Sequence, residues 1–199
     1  MGLFRWDYWT IRLGIIAAVL LFFSGWVFLQ EPRDYFIWLG LSYLLAVWIH
    51  PYFKKYFFRR TVIFDYVGVV NVGTDEDYYI GNIFVRPGMR ELIERLKVSN
   101  KVSIFTNNPW EAHMAFSRKL GLDTLFDFQF SSGLVHSRKP NAEAYRLVLA
   151  GLSSSPHNSV MIDDRPENLT GAKEIGMHTI VFKNMEQLQA DLRALGYKF

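Results

Sequence analysis

Residues 160–182 read VMIDDRPENLTGAKEIGMHTIVF, and the order of elements in this stretch decides the fold class. Val160–Asp163 is a short apolar run ending in a carboxylate that Asp164 immediately follows, the pattern of a buried parallel strand whose carboxyl end opens on a polar site. Residues 167–175 have helical periodicity, and Gly176 provides the residue without a Cβ that commonly closes a helix. His178–Phe182 is again β-branched and aromatic, which predicts a second strand.

The same alternation runs upstream. Thr61–Asp65 and Val102–Thr106 predict strands, and Phe126–Ser132 a weaker one. Pro87-Gly88 opens a helix whose apolar residues Met89, Leu92, Ile93 and Leu96 fall at i, i+3, i+4 and i+7. Residues 110–120 form a further helix ended by Gly121. Asn141 begins another, with Tyr145, Val148, Leu149 and Leu152 on one face, and residues 185–195 are a last amphipathic helix. Residues 61–199 are therefore expected to be an α/β domain, a Rossmann-like parallel sheet flanked by helices.

In such sheets the ligand site lies beyond the carboxyl ends of the strands. Those ends carry Asp65, then Thr106-Asn107-Asn108, then Asp163-Asp164, while Lys139 sits in a loop just before a helix. Three carboxylates brought together repel one another, and a hard divalent cation such as Mg²⁺ relieves the repulsion through oxygen ligands. Lys139 and Thr106 are suited to hold a phosphoryl group and its developing charge. The chain has no cysteine, which excludes disulfide scaffolds, thiolate metal sites and a cysteine nucleophile. His113, His136, His157 and His178 have no ligand spacing and are expected to be packing or surface residues.

Four segments together resemble the haloacid dehalogenase-like (HAD) superfamily: VIFDYVGVV (62–70), VSIFTNN (102–108), SRKPNAEAY (137–145) and the 160–182 stretch. They occur in the family's order and cover nearly all of residues 61–199. The resemblance implies a Mg²⁺-dependent phosphohydrolase fold in which Asp65 is the phosphate-accepting nucleophile. It also implies that Thr106 and Asn107 meet the phosphoryl oxygens and that Lys139 pairs with the phosphate and orients Asp65. Asp65, Asp163, Asp164 and the backbone carbonyl of Val67 would serve the metal, and Asn168 would support the loop.

The sequence departs from that pattern in two places. Most phosphatases of the family have an acid two residues after the nucleophile, where this chain has Val67, which transfers no proton. A positioned acid/base contributes about 10²–10⁴ in rate, so its loss leaves an impaired hydrolase and an inactive accessory subunit both open. In addition, neither the interval between Asp65 and Thr106 nor that between Lys139 and Asp163 has room for a lid domain. Capless relatives often take large substrates, so a phosphorylated protein or a small molecule are both admissible substrates.

Half of the 199 residues are hydrophobic and the net charge is +3, but neither property is evenly spread. Residues 13–30 and 35–53 are two apolar runs free of Asp, Glu, Lys and Arg, separated by a turn containing Pro32 and flanked by Trp and Tyr. They are expected to form a transmembrane helical hairpin over residues 1–60, with a buried hairpin of a soluble protein as the alternative. Arg5 and Arg12 precede the first run, and Lys54, Lys55, Arg59 and Arg60 follow the second. The positive-inside rule then places both termini and the α/β domain on the cytoplasmic or organelle-matrix side. Small residues such as Gly14, Ala17, Gly25 and Gly40 would allow close helix packing, either within the hairpin or with subunits of a membrane complex. Residues 61–199 hold 15 basic and 16 acidic residues, which argues against a nucleic-acid partner.

Overall fold

The computed structural model describes residues 59–73, 76–77, 81 and 83–199. The chain divides into units Met1–Tyr56 and Phe57–Phe199, and all described residues belong to the second. Both expected membrane spans lie outside the described residues, among which no helix is long and apolar enough to cross a membrane.

The central sheet takes its strands from regularly spaced apolar runs. β1 is Thr61–Phe64, and the short strands β2 (Asn71–Val72) and β3 (Phe84–Val85) pair with each other in a separate antiparallel ladder. Helix α1 (Met89–Lys97) leads to β4 (Lys101–Thr106), and α2 (Trp110–Lys119) to β5 (Phe128–Ser131). Two helices follow, α3 (Ser132–Val135) and α4 (Ala142–Gly151), then β6 (Ser159–Asp163), α5 (Thr170–Glu174), β7 (His178–Val181) and α6 (Met185–Ala194). The five-stranded sheet has the order β5-β4-β1-β6-β7 and every pairing in it is parallel.

Side chains alternate across a strand, and this sheet separates two apolar layers by that rule. Val62, Phe64, Val102, Ile104, Val160 and Ile162 pack on one face with Leu92 and Leu96 of α1 and Leu188 and Leu192 of α6. Ile63, Phe105 and Met161 point to the other face, against Tyr145, Val148 and Leu149 of α4 and Ala172 of α5. Because both faces are covered, β1, β4 and β6 are buried apolar runs, which is why they were legible in the sequence.

β4 and β6 lie on opposite sides of β1, so the chain reverses its direction of winding at β1 and leaves a crevice at its carboxyl end. Asp65 stands at that point, its backbone N–H donating to the Ile162 carbonyl at 2.8 Å.

The helix expected over 167–175 is split into a 3₁₀ turn, Pro166–Leu169, and the short α5. The cause is at Asn168: its side-chain amide donates to Asp163, and its carbonyl accepts from the buried Tyr145 hydroxyl, which diverts the first turn. α5 then packs so closely on the loop before α4 that a Cβ on Gly171 would lie 2.0 Å from the Pro140 carbonyl oxygen and 2.7 Å from the Ala142 nitrogen. Those are backbone atoms next to Lys139, and they cannot rotate away. Gly171→Ala is therefore expected to destabilise the protein by about 2 kcal/mol or more. Thermal or urea denaturation of the parent and variant checks this; equal stability would contradict the close approach.

Candidate active site

Three neighbouring strands deliver the site. Asp65 follows β1, Thr106 ends β4 and leads into Asn107, and Asp163 ends β6 and leads into Asp164. Lys139 reaches the same point from the loop before α4. Its ammonium donates to Asp65 Oδ1 and to Asp163 Oδ2, each at 2.6 Å. Lys139, Asp65 and Asp163 are all buried.

The loop bearing Lys139 is fastened to the end of β4. The Lys139 backbone N–H donates to Asn107 Oδ1 at 2.9 Å, and Asn107 Nδ2 donates back to the Lys139 carbonyl at 3.0 Å. Asn107 thus clamps the lysine loop with both ends of its side-chain amide. Asn141, two residues beyond the lysine, caps α4 by accepting from the Glu143 N–H. Thr106 is buried at the strand end, its hydroxyl accepting from the Asn108 N–H at 3.3 Å.

Asp163 organises the opposite wall. Its Oδ1 accepts from the Arg165 N–H at 2.9 Å and from Asn168 Nδ2 at 3.0 Å, and its Oδ2 accepts from Lys139 and, at 3.2 Å, from Asn168. That carboxylate is fully engaged. Asp164 differs, because its Oδ1 is buried without a hydrogen-bond partner. Asp65, Asp163 and Asp164 each offer an oxygen, and these three lie within 4.8 Å of one another. An orphaned carboxylate oxygen in an all-oxygen donor set fits a hard cation such as Mg²⁺, with Asp65 and Asp164 the better placed ligands.

The turn after Asp65, Tyr66–Val70, packs on Asp164. Gly68 has φ +85°, and a Cβ there would come within 2.5 Å of Asp164 Oδ2. Arg86, which the sequence did not single out, holds this turn from outside. Its guanidinium donates to the carbonyls of Gly68 and Val69, the latter at 2.9 Å, and lies 4.7 Å from the centre of the Phe182 ring. Nothing in the spacing of an isolated arginine near the Pro87-Gly88 turn signals that role. Val67 lies within the same turn, and its side chain joins the apolar layer beside Val69 and Val70.

Electrostatics follow from this packing. Burial pushes the Asp65 carboxyl up to about 7, with Lys139 opposing the shift and Asp163 adding to it. Burial would lower the Lys139 ammonium, but Asp65 and Asp163 outweigh it and hold the ammonium above the ordinary lysine value. Burial also raises the Asp164 carboxyl, and Asp163 reinforces the effect. His113, as expected, is a packing residue: it is buried against Tyr66 and hydrogen-bonds Gln129 at 2.8 Å, and burial lowers it to about 4. His136, His157 and His178 are exposed.

The family model for haloacid dehalogenase-like hydrolases matches residues 49–176, and the chain belongs to that family. Flavin mononucleotide hydrolase 1 of Arabidopsis thaliana is 37% identical over 111 residues, which are 55% of this chain and 44% of that protein. Glyceraldehyde 3-phosphate phosphatase of Pyrococcus furiosus is 27% identical over 159 residues, 74% of this chain and 63% of that protein. The chain thus spans less than two thirds of the length of these curated relatives. Among solved structures, an HAD-like family hydrolase from Porphyromonas gingivalis superposes with TM-score 0.57 at 18% identity, over 69% of this chain and 98% of that one. The α/β HAD fold with its parallel sheet is shared with these structures.

Because the folded Asp65 carboxyl is raised above its ordinary 3.8, the fold disfavours its ionised form. Stability from this group is intact below about pH 4 and is lost as the pH rises through about 7. The metal-free protein is thus expected to lose on the order of a few kcal/mol between pH 4 and 7, and Asp65→Asn to flatten that loss. Chemical denaturation in EDTA across this range checks it; parallel profiles for parent and variant would count against the raised carboxyl.

Proposed function

We propose that the protein is a membrane-anchored, Mg²⁺-dependent phosphohydrolase that works through an aspartyl-phosphate on Asp65. The observation that carries this reading is the Lys139 ammonium held at 2.6 Å from both Asp65 and Asp163, with the unpartnered Asp164 oxygen beside them. The phosphatases among the curated relatives support it, and the apolar runs at 13–30 and 35–53 support the anchor. Two passes, with the α/β domain on the cytoplasmic or matrix side, is the topology that the basic flanks favour.

Asp65, Asp164 and the Val67 carbonyl would hold the cation, which neutralises charge on the substrate phosphoryl group when bound. An Asp65 oxygen attacks phosphorus and the bond to the leaving oxygen breaks, giving the acyl phosphate and an alkoxide or phenolate that takes its proton from water. Water then hydrolyses the acyl phosphate and regenerates the carboxylate. Lys139 keeps Asp65 aligned and opposes the negative charge that develops on the phosphoryl oxygens, while Asn107 clamps the lysine loop and Thr106 ends the neighbouring strand β4. Val67 offers no proton, so leaving groups that depart as stable anions, such as phenolates, are favoured over simple alcohols.

Val67 also supports a second reading, in which the domain is a non-catalytic subunit of a larger membrane complex and the hairpin is its attachment. Val67 is only 8% exposed and packs in the apolar layer beside Val69 and Val70.

Hydrolysis of an aryl phosphate in Mg²⁺ separates the two. The hydrolase reading expects turnover in the parent, its loss in Asp65→Asn, and a gain on alkyl phosphates of up to about 10²-fold in Val67→Asp. Turnover that appears only in Val67→Asp, with stable partners co-purifying with the parent in mild detergent, would establish the subunit instead.

A further inference from the structure

Positive charge collects at the amino ends of the strands, the side of the sheet opposite Asp65. Helices α1, α2 and α6 run antiparallel to the strands and finish on that side. Each carries an acid in its first turn, Glu91, Glu111 and Glu186 respectively. Their last turns hold Arg95 and Lys97, Arg118 and Lys119, and Arg193. Glu94 and Asp191 lie near the same ends and leave them net positive. We propose that this side is a docking face for an anionic lipid bilayer, held by Arg59, Lys97, Lys101 and Lys198 around the exposed side chain of Val98. The proposal rests on the membrane-anchor part of the function proposed above and adds the lipid chemistry that the domain meets.

Charge is the first reason. Helix dipoles account for the cations of the last turns. They do not account for Arg59, Lys101 and Lys198, which lie outside the helices. The Arg59 guanidinium donates to the carbonyls of Lys97 and Val98 at 2.9 and 2.7 Å. The Lys101 ammonium donates to the Leu152 carbonyl at 2.8 Å, and the Lys198 carbonyl accepts from the Asn100 amide at 3.1 Å. These bonds gather the cations at one end of the sheet, and neutral carbonyls leave their charge unbalanced. Asp127 meets Lys97 at 3.5 Å. Burial lowers the Lys101 ammonium, Arg59 lowers it further and Asp127 opposes them, so the cations are near enough to repel one another. An anionic surface relieves that repulsion.

Val98 is the second reason. It is 74% exposed, the most exposed large apolar side chain among the described residues, and it follows α1 between Lys97 and Lys101. An apolar tip ringed by cations suits the boundary between headgroups and acyl chains.

Chain length is the third. Arg59 comes six residues after Phe53, where the second apolar run ends. Fully extended, that interval spans about 20 Å. Its intervening residues, KKYFF, add cations and aromatic rings of the kind found at headgroup depth. β1 then leads away from the docking face to Asp65, which directs the candidate site toward water.

The chain has no cysteine, so Val98→Cys and Glu186→Cys each accept a single nitrobenzoxadiazole label. The full-length protein is reconstituted in phosphatidylcholine vesicles bearing a lipid-attached nitroxide quencher, without or with about 30% phosphatidylserine. Quenching of the label at Val98→Cys is expected to rise about twofold or more with phosphatidylserine, and the rise to vanish in high salt and in Lys97→Gln/Lys198→Gln. The label at Glu186→Cys, at the opposite end of α6, is expected to respond to neither. Quenching at Val98→Cys that ignores lipid charge, or that merely equals quenching at Glu186→Cys, would overturn the docking face and leave the anchor standing. If alkaline carbonate extracts the protein from the vesicles, the anchor reading falls and flotation with the same vesicles decides. Binding to the phosphatidylserine vesicles that Lys97→Gln/Lys198→Gln loses then upholds the face, and absence of such binding overturns it.

Discussion

The buried ammonium of Lys139, bridging carboxylates that follow two adjacent strands, is the interaction on which the rest of the domain depends. Asp65 follows β1 and Asp163 ends β6, and parallel pairing places these ends side by side. Two carboxylates so placed, with Asp164 next to them, would repel and be poorly solvated, and one cation between them offsets much of that cost. Removing one member of such a buried set typically costs about 3–5 kcal/mol, because the remaining charges stay buried without compensation. The surroundings are built to prevent that loss. Asn107 fixes the lysine loop from one side, and Asn168, held by Tyr145, fixes Asp163 from the other.

One ammonium does not balance three carboxylates. The remaining negative charge, and the buried Asp164 oxygen without a donor, leave the site electrostatically incomplete in a way that a divalent cation would complete. The turn after Asp65 packs closely on Asp164. Gly68 brings backbone against Asp164 where any larger residue would collide, and Arg86 ties the turn's carbonyls to the strand that follows it. Val67 sits in this well-held turn as an apolar residue, so the residues proposed as nucleophile and phosphate holders are present while the proposed proton-transfer position has no acid. Retention of the one without the other is the central functional question about this protein.

Much of the fold was legible because burial on both faces leaves a simple mark. β1, β4 and β6 are continuous apolar runs, and the helices between them show their stripes. The candidate residues Asp65, Thr106, Asn107, Lys139, Asp163 and Asp164 were visible as polar residues at the ends of those runs or in the adjoining loop. What was less visible depends on local hydrogen bonding rather than hydrophobic pattern. The split of the 167–175 helix comes from Asn168 being drawn to Asp163, and β5 is shorter than its apolar run, at Phe128–Ser131. Arg86 and Gly171 act through contacts with residues distant in sequence, and no spacing rule exposes such contacts.

The sequence by itself determined the α/β class, the order of its elements and the identity of the residues that gather at the strand ends, because periodicity and burial are local properties of a chain. It also marked Val67 as the missing acid, since that needs only a position relative to Asp65. Tertiary structure alone decided which charges touch, which carboxylate is fully engaged by donors and which is left open. Those are consequences of parallel pairing and loop packing, which bring together residues dozens of positions apart at distances no sequence interval encodes.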